Sequence, residues 1–390
     1  MTVMPGRGAS PRENPAAPLS ATRPEEQLIS FARGAPSLDI IDIKGLSDAA
    51  VRAFAADPGG ITAYGNSYGY PPLRQWIAAK HGSTADQVLI TNGSLQADAF
   101  LFQKLVKPGD HVIDEKPTYD RTLLNLREIG AEVHQVTLLS DGIDTVELRG
   151  LLEALATDGL APKLAHIIPN FQNPAGVTLS LERRRELLVL AAEFGFTIFE
   201  DDPYVDLRFR GESLPSMLSM DTAGVVVHAS SFTKTVCPGV RVGYLIGPTP
   251  LVDDIAKKAT NLYISAGQVA QGLVHQFCVS GDIDRSIATV KAALSERATL
   301  LADSLRRRIS GIDFTEPDGG DFLWVKLPED VHVDKLLPAA TERGVTVVKG
   351  SDFLLEGGEH ELRLAFSAAT VDQIDTGVHR LAEAIEAVRG

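Results

Sequence analysis

From about Tyr64 to residue 280 the chain alternates short apolar runs with helical patterns, and nothing else constrains its fold as strongly. The runs lie at residues 88–91, 111–114, 132–138, 164–168, 196–199, 225–229 and 242–246 and carry few polar interruptions. A strand with one wet face alternates in polarity, whereas runs of this kind suit strands buried on both faces. Between them lie helical patterns such as residues 181–194, opened by Ser180 at a capping position and closed by Gly195. Strand and helix in alternation predict an α/β fold, a mainly parallel sheet covered by helices on both sides. Ligands of such sheets sit beyond the carboxyl ends of the strands.

After about residue 280 the pattern changes. A long helical stretch covers residues 283–309, strand patterns follow at 322–326, 345–348 and 362–366, and Thr370 with Gln373 forms a capping box that opens a terminal helix to about residue 388. These features predict a smaller α+β domain over 281–390, completed by residues 29–60 and joined to a large domain over 61–280. Residues 1–28 are expected to form a mobile arm. Five prolines fall within the first 27 residues, and no continuous apolar stretch there suits a signal-peptide core or a membrane span.

Composition narrows the chemistry. The 37 basic and 51 acidic side chains leave a net charge of −14, and no dense basic run offsets it, so a nucleic-acid partner is not expected. The two cysteines, Cys237 and Cys278, support neither a disulfide framework nor a structural zinc site, and a reducing cytoplasm is the expected compartment. No H-E-x-x-H, G-x-S-x-G, P-loop or dinucleotide-binding pattern occurs.

The chemistry concentrates at predicted strand ends. Ser231-Phe232-Thr233-Lys234, followed by Arg241, puts an amine just beyond one strand, with a hydroxyl before it and a guanidinium after it. Such an amine condenses with an aldehyde, and the two flanking groups suit a phosphate. Asp201-Asp202-Pro203-Tyr204 ends another strand with a buried acid and a phenol, and Asn170 to Gly176 forms a turn that supplies the Asn173 amide. Gly93-Ser94-Leu95 opens a helix whose free N–H groups and dipole make an anion site.

With these motifs in this order, the sequence resembles the fold-type I pyridoxal-phosphate enzymes of aminotransferase class I/II. The resemblance runs over roughly residues 29–388, and the branch is that of the α-aminoadipate and kynurenine aminotransferases and the aminotransferase-like domain of MocR regulators. It implies a three-layer fold with a mainly parallel seven-stranded sheet, and amino-group transfer between an L-α-amino acid and an α-keto acid. It implies that Lys234 forms the internal aldimine, that Asp201 pairs with the pyridine nitrogen, and that Tyr204 and Asn173 bond the ring's phenolic oxygen. Ser94, the Leu95 N–H, Ser231 and Arg241 are implied to hold the phosphate, and Tyr119 to stack on the ring. Arg363, inside an apolar strand pattern, is implied to bind the substrate carboxylate. Tyr64 is implied to reach the phosphate of a neighbouring subunit, which makes the expected assembly a homodimer with shared sites.

Some positions depart from the family pattern. Asp321 stands where relatives carry an apolar residue, Lys349 replaces a usual proline, and Arg33 sits in the segment that lines the side-chain pocket. Arg33 is expected to favour a second carboxylate on the substrate, and Asp321 an amine or hydroxyl. Two competing functions remain open at this point: lyase, decarboxylation or oxidation chemistry on the same scaffold, and a cofactor-binding sensor without turnover. The sensor reading is disfavoured because every expected catalytic position is retained and no winged helix precedes the domain.

Overall fold

The structure, a computed structural model, describes residues 28–389, so the expected N-terminal arm lies outside the described residues. In chain order the strands are β1 (Ile29–Ser30), β2 (Val88–Thr91), β3 (His111–Lys116), β4 (Glu132–Leu139), β5 (Gly142–Ile143), β6 (Pro162–Ile167), β7 (Thr197–Asp201), β8 (Val226–Ser231), β9 (Gly243–Ile246), β10 (Phe322–Lys326), β11 (Val345–Thr346), β12 (Val348–Lys349) and β13 (Glu361–Ala365). Strands β2 to β9 form one sheet in the order β2-β9-β8-β7-β6-β3-β4-β5. The block β8-β7-β6-β3-β4 is parallel, β9 runs antiparallel to both β2 and β8, and β5 is a two-residue hairpin return on β4. The seven longer strands are those the apolar runs predict, with ends shifted by one or two residues.

Every residue of β2 and β8 is buried, in keeping with a sheet covered on both faces. The helix Leu181–Phe194 begins where Ser180 Oγ accepts the Arg183 N–H at 3.2 Å and ends at Gly195, whose φ of +75° is the left-handed closure a side chain would disfavour. Its buried Leu187, Leu190 and Ala191 pack with Ile167 and Ile198 of the sheet.

A second, antiparallel sheet has the order β10-β13-β12, with Arg363 of β13 opposite Trp324 and Val348. The long helix Asp282–Arg308 and the terminal helix Val371–Arg389 share a core with it, and Phe31 and Ile40 join that core. Two expectations are corrected. The predicted strand at 345–348 is two strands in different sheets: β11 pairs with β1 in parallel, and β12 pairs with β13. Residues 29–60 do not act as one piece of the smaller domain, because Ala49 and Ala53 of helix Ile43–Ala56 lie in a core shared with Val274 and Phe277 of helix Gln268–Val279. The reason is close approach at small residues. A Cβ on Gly272 would collide with Ile61 and stand 3.8 Å from the Ala53 methyl, so the two helices meet where neither carries bulk.

Candidate active site

The carboxyl ends of the parallel strands open on a cavity of ≈ 350 Å³ that also touches β10 and β13. Asp201 is the last residue of β7 and Ser231 the last of β8. Lys234 follows on the turn after β8, Asn173 on the turn after β6, and Tyr119 just after β3. Ser94 begins the helix Ser94–Leu105, whose first N–H groups have no intrahelical acceptor.

Lys234 is 8% exposed, and its Nζ donates to the Gly34 carbonyl and, at 2.8 Å, to Asp321 Oδ2. The same nitrogen lies 5.3 Å from the centroid of the Tyr204 ring. Burial, followed by the Asp321 carboxylate, pushes the Tyr204 phenol far above its ordinary range, so it stays protonated and can donate. Burial likewise pushes Tyr119 up to about 12.

Asp201 is buried, with one carboxylate oxygen 3.7 Å from His166 Nε2 and the other without a hydrogen-bond partner among the described residues. The neighbouring Asp202 is engaged differently: Asn170 Nδ2 donates to it at 2.6 Å, and burial, followed by Glu200, raises its pKa to about 7. Of the two acids, Asp201 is the one that lines the cavity.

Arg241, with φ +47°, donates to the Asn92 carbonyl at 3.0 Å, which sets its guanidinium beside Gly93. A Cβ on Gly93 would collide with Nη2 of Arg241, and one on Gly243 would stand 2.6 Å from the Ser94 nitrogen. The helix start and the guanidinium therefore close on one spot only because both positions are glycine. Ser231 Oγ and Thr233 Oγ1 are 2.6 Å apart beside them.

Arg363 is held on the smaller sheet's side of the cavity. Its Nη1 donates to Asn173 Oδ1 at 3.0 Å, its Nη2 donates to the Ala32 carbonyl at 2.7 Å, and its Nε has no partner among the described residues. The guanidinium sits between the Phe322 and Phe353 rings, 4.4 and 4.9 Å from their centroids. Stacking fixes the plane of the fork.

Ser94, Leu95, Tyr119, Asn173, Asp201, Tyr204, Ser231, Lys234, Arg241 and Arg363 thus all line one cavity. Three predicted site residues do not. Asp321 is 1% exposed, lies behind Lys234 and bonds its amine instead of facing the cavity, a correction to its expected role on the substrate side chain. Arg33 is exposed and absent from the lining, because its neighbours Ala32 and Gly34 turn their carbonyls toward Arg363 and Lys234. Tyr64 is 89% exposed and lines a separate hollow.

Sequence reasoning missed Thr233, Asp120 and Arg121, all in the lining, and His166 behind Asp201. The signal for His166 was its place inside an apolar strand, since a buried imidazole needs partners. Asp120 and Arg121 follow Tyr119 directly and carried no signal beyond that adjacency.

Comparison with known proteins matches this geometry. The family model for aminotransferase class I and II matches residues 26–381. A 2-aminoadipate transaminase of Thermus thermophilus is 30% identical over 364 residues, covering 92% of this chain and 90% of that protein. Aromatic-amino-acid aminotransferase 1 of Thermococcus litoralis is 29% identical over 369 residues, covering 92% and 88%. The crystal structure of Pyrococcus horikoshii kynurenine aminotransferase in complex with PMP matches with a TM-score of 0.88 at 29% identity, over 93% of this chain and 91% of that one. The lysine, acid and arginines that line this cavity therefore belong to a member of the aminotransferase class I and II family, a pyridoxal-phosphate-dependent aminotransferase.

Proposed function

We propose that this chain transfers the amino group of an L-α-amino acid to an α-keto acid in the cavity at the strand ends, with Lys234 as the residue that joins the cofactor. The observation that carries this reading is the convergence on one cavity of Asp201 at the end of β7, Lys234 after β8, Arg241 before β9 and Arg363 within β13.

The residues present fit pyridoxal phosphate. The cradle at Gly93, Ser94, Leu95, Ser231, Thr233 and Arg241 offers N–H, hydroxyl and guanidinium donors to a phosphate. The carboxylate of Asp201, which lines the cavity, is an acceptor suited to a protonated ring nitrogen. When bound, the cofactor supplies an electron sink that lets the substrate Cα–H bond give up its proton. Tyr204 and Asn173 supply hydroxyl and amide groups for the ring oxygen, and Tyr119 supplies an aromatic face.

Arg363 orients the amino acid. Asn173 and Ala32 hold its guanidinium, the Phe322 and Phe353 rings fix its plane, and its place in the cavity lining suits it to receive a carboxylate. Lys234 Nζ then acts as the base that takes the Cα proton and later returns it.

The same reading includes a homodimer that lives in the cytoplasm and binds no nucleic acid. Tyr64 is exposed and absent from the lining of its own cavity, so a second copy covering it would be the one to receive it, and both cysteines are free. Among the described residues no helix is long and apolar enough to cross a membrane.

Borohydride reduction after incubation with pyridoxal phosphate, followed by peptide mass mapping, tests the assignment. The expected result is one pyridoxyl adduct on Lys234, together with turnover of at least one common amino acid with 2-oxoglutarate or pyruvate. An adduct elsewhere, or none, overturns it.

A further inference from the structure

Asp321 comes just after Gly319 and Gly320 and just before β10, at a position the sequence marks as unusual for an acid. Its carboxylate is 1% exposed. One oxygen accepts from Lys234 Nζ at 2.8 Å, and the other has no hydrogen-bond partner among the described residues. The other guanidinium in this region, Arg363, is committed to Asn173 and Ala32. Lys234 is thus the one cation hydrogen-bonded to Asp321 among the described residues.

Lys234 in turn spends two of its donors, one on Asp321, which does not line the cavity, and one on the Gly34 carbonyl, which does. An ammonium has three protons and satisfies both acceptors. When Lys234 Nζ condenses with an aldehyde, a C=N bond replaces the C=O bond, the carbonyl oxygen leaves as water, and the nitrogen keeps at most one proton. It then cannot serve both acceptors. Weakening the hydrogen bond between a buried carboxylate and the cation that donates to it is expensive.

We infer that Asp321 is a positioning residue that holds the amine of Lys234 in its released form and so weights the free lysine against the cofactor-linked one. This rests on the assignment of Lys234 as the linking residue. The consequence is a bias toward the stages of the cycle in which Lys234 is unlinked and available to carry a proton.

The test compares two forms of the cofactor that share ring and phosphate. Pyridoxal 5′-phosphate leaves Lys234 Nζ at most one proton to share between Asp321 and the Gly34 carbonyl, whereas pyridoxamine 5′-phosphate has no aldehyde and leaves both hydrogen bonds intact. In Asp321→Asn of the full chain, the dissociation constant for the aldehyde form is expected to fall by about tenfold or more while that for the amine form stays within about twofold, because a buried pair no longer has to be weakened. General damage to the fold would weaken both forms, so a selective gain has no merely structural explanation. Asp321→Met is measured in parallel in case the asparagine variant misfolds, and the same selective gain is expected.

Equal changes in both constants, or no change in either, overturn the inference. Borohydride mapping of the parent chain separates the two ideas. An adduct on Lys234 with unchanged affinities sinks only the role of Asp321, and no adduct on Lys234 sinks the assignment beneath it.

Discussion

His166 Nε2 lies 3.7 Å from the carboxylate of Asp201, and its Nδ1 lies 3.1 Å from Asp114. The imidazole is fully buried between two acids. Burial by itself would depress its pKa, but the Asp114 carboxylate, followed by Asp201, outweighs burial and holds it well above the ordinary 6.5. A protonated His166 backs Asp201 with positive charge from the side opposite the cavity. Because the folded value is raised, the stabilisation is fully present below about pH 6.5 and is lost as pH rises through the folded value. His166→Gln should therefore cost about 3 kcal/mol near pH 6, the scale for breaking a buried ion pair. The gap to the parent in urea-unfolding midpoint should narrow as the pH rises through the raised folded value. A gap independent of pH would mean that the imidazole is neutral.

Arg363 offers a planar fork already held by two acceptors. Arg363→Lys keeps the charge and loses both the fork and the stacking on Phe322 and Phe353. Arg363→Ala should raise KM for amino acid and keto acid alike by roughly 30-fold or more, equivalent to about 2 kcal/mol of charge-pair binding. Lysine should recover only part of it. Steady-state kinetics on both substrates checks this, and an effect on one substrate alone would contradict a shared carboxylate site.

Gly93 has φ +88°, and a Cβ there meets the guanidinium of Arg241. Gly93→Ala should force Arg241 off the Asn92 carbonyl and cost about 1–3 kcal/mol in stability through backbone strain. Cofactor affinity should fall alongside it, read by fluorescence titration. Arg241→Ala should weaken the cofactor without the loss of stability.

Glu115 is buried beneath the site, where it accepts from the Ile168 N–H and from Gln172. Burial raises its pKa to about 8 from 4.5. A raised carboxyl favours the fold below about pH 4.5, and that contribution drains away as pH climbs toward 8. Glu115→Gln removes the ionisation, so its melting temperature relative to the parent should rise between pH 5 and pH 8.5. A constant difference across that range would show that Glu115 is already ionised in the fold.

Tyr64 is 89% exposed beside an apolar hollow of ≈ 650 Å³ lined by Ile61, Val240, Val269 and Leu273. If a second copy covers this face, Tyr64 acts on the other copy's site. Tyr64→Ala and Lys234→Ala should each be weak or inactive alone, yet regain activity when mixed, because one site of the hybrid dimer is whole. Sedimentation should show a dimer throughout. No recovery on mixing would exclude sharing of Tyr64 between copies.

Much of this molecule is legible without its structure. The continuous apolar runs, the Ser180 and Gly195 caps and the capping box at Thr370 are local signals, since each depends on residues within a turn or a strand of one another. They fix the strands, and the strand ends place Lys234, Asp201 and Ser94 near one another because the ends of a parallel sheet share one edge. What the sequence alone could not decide is which side chain meets which across long separations. Asp321 bonds an amine 87 positions away, and His166 stands behind an acid 35 positions on, neither signalled by spacing. Arg33 faces outward because its backbone neighbours are already bonded to the site, and helix Ile43–Ala56 leaves the smaller domain because small residues let it approach Gly272. Period and capping act within a few residues, whereas ion pairs and packing partners are chosen only once the chain has closed on itself.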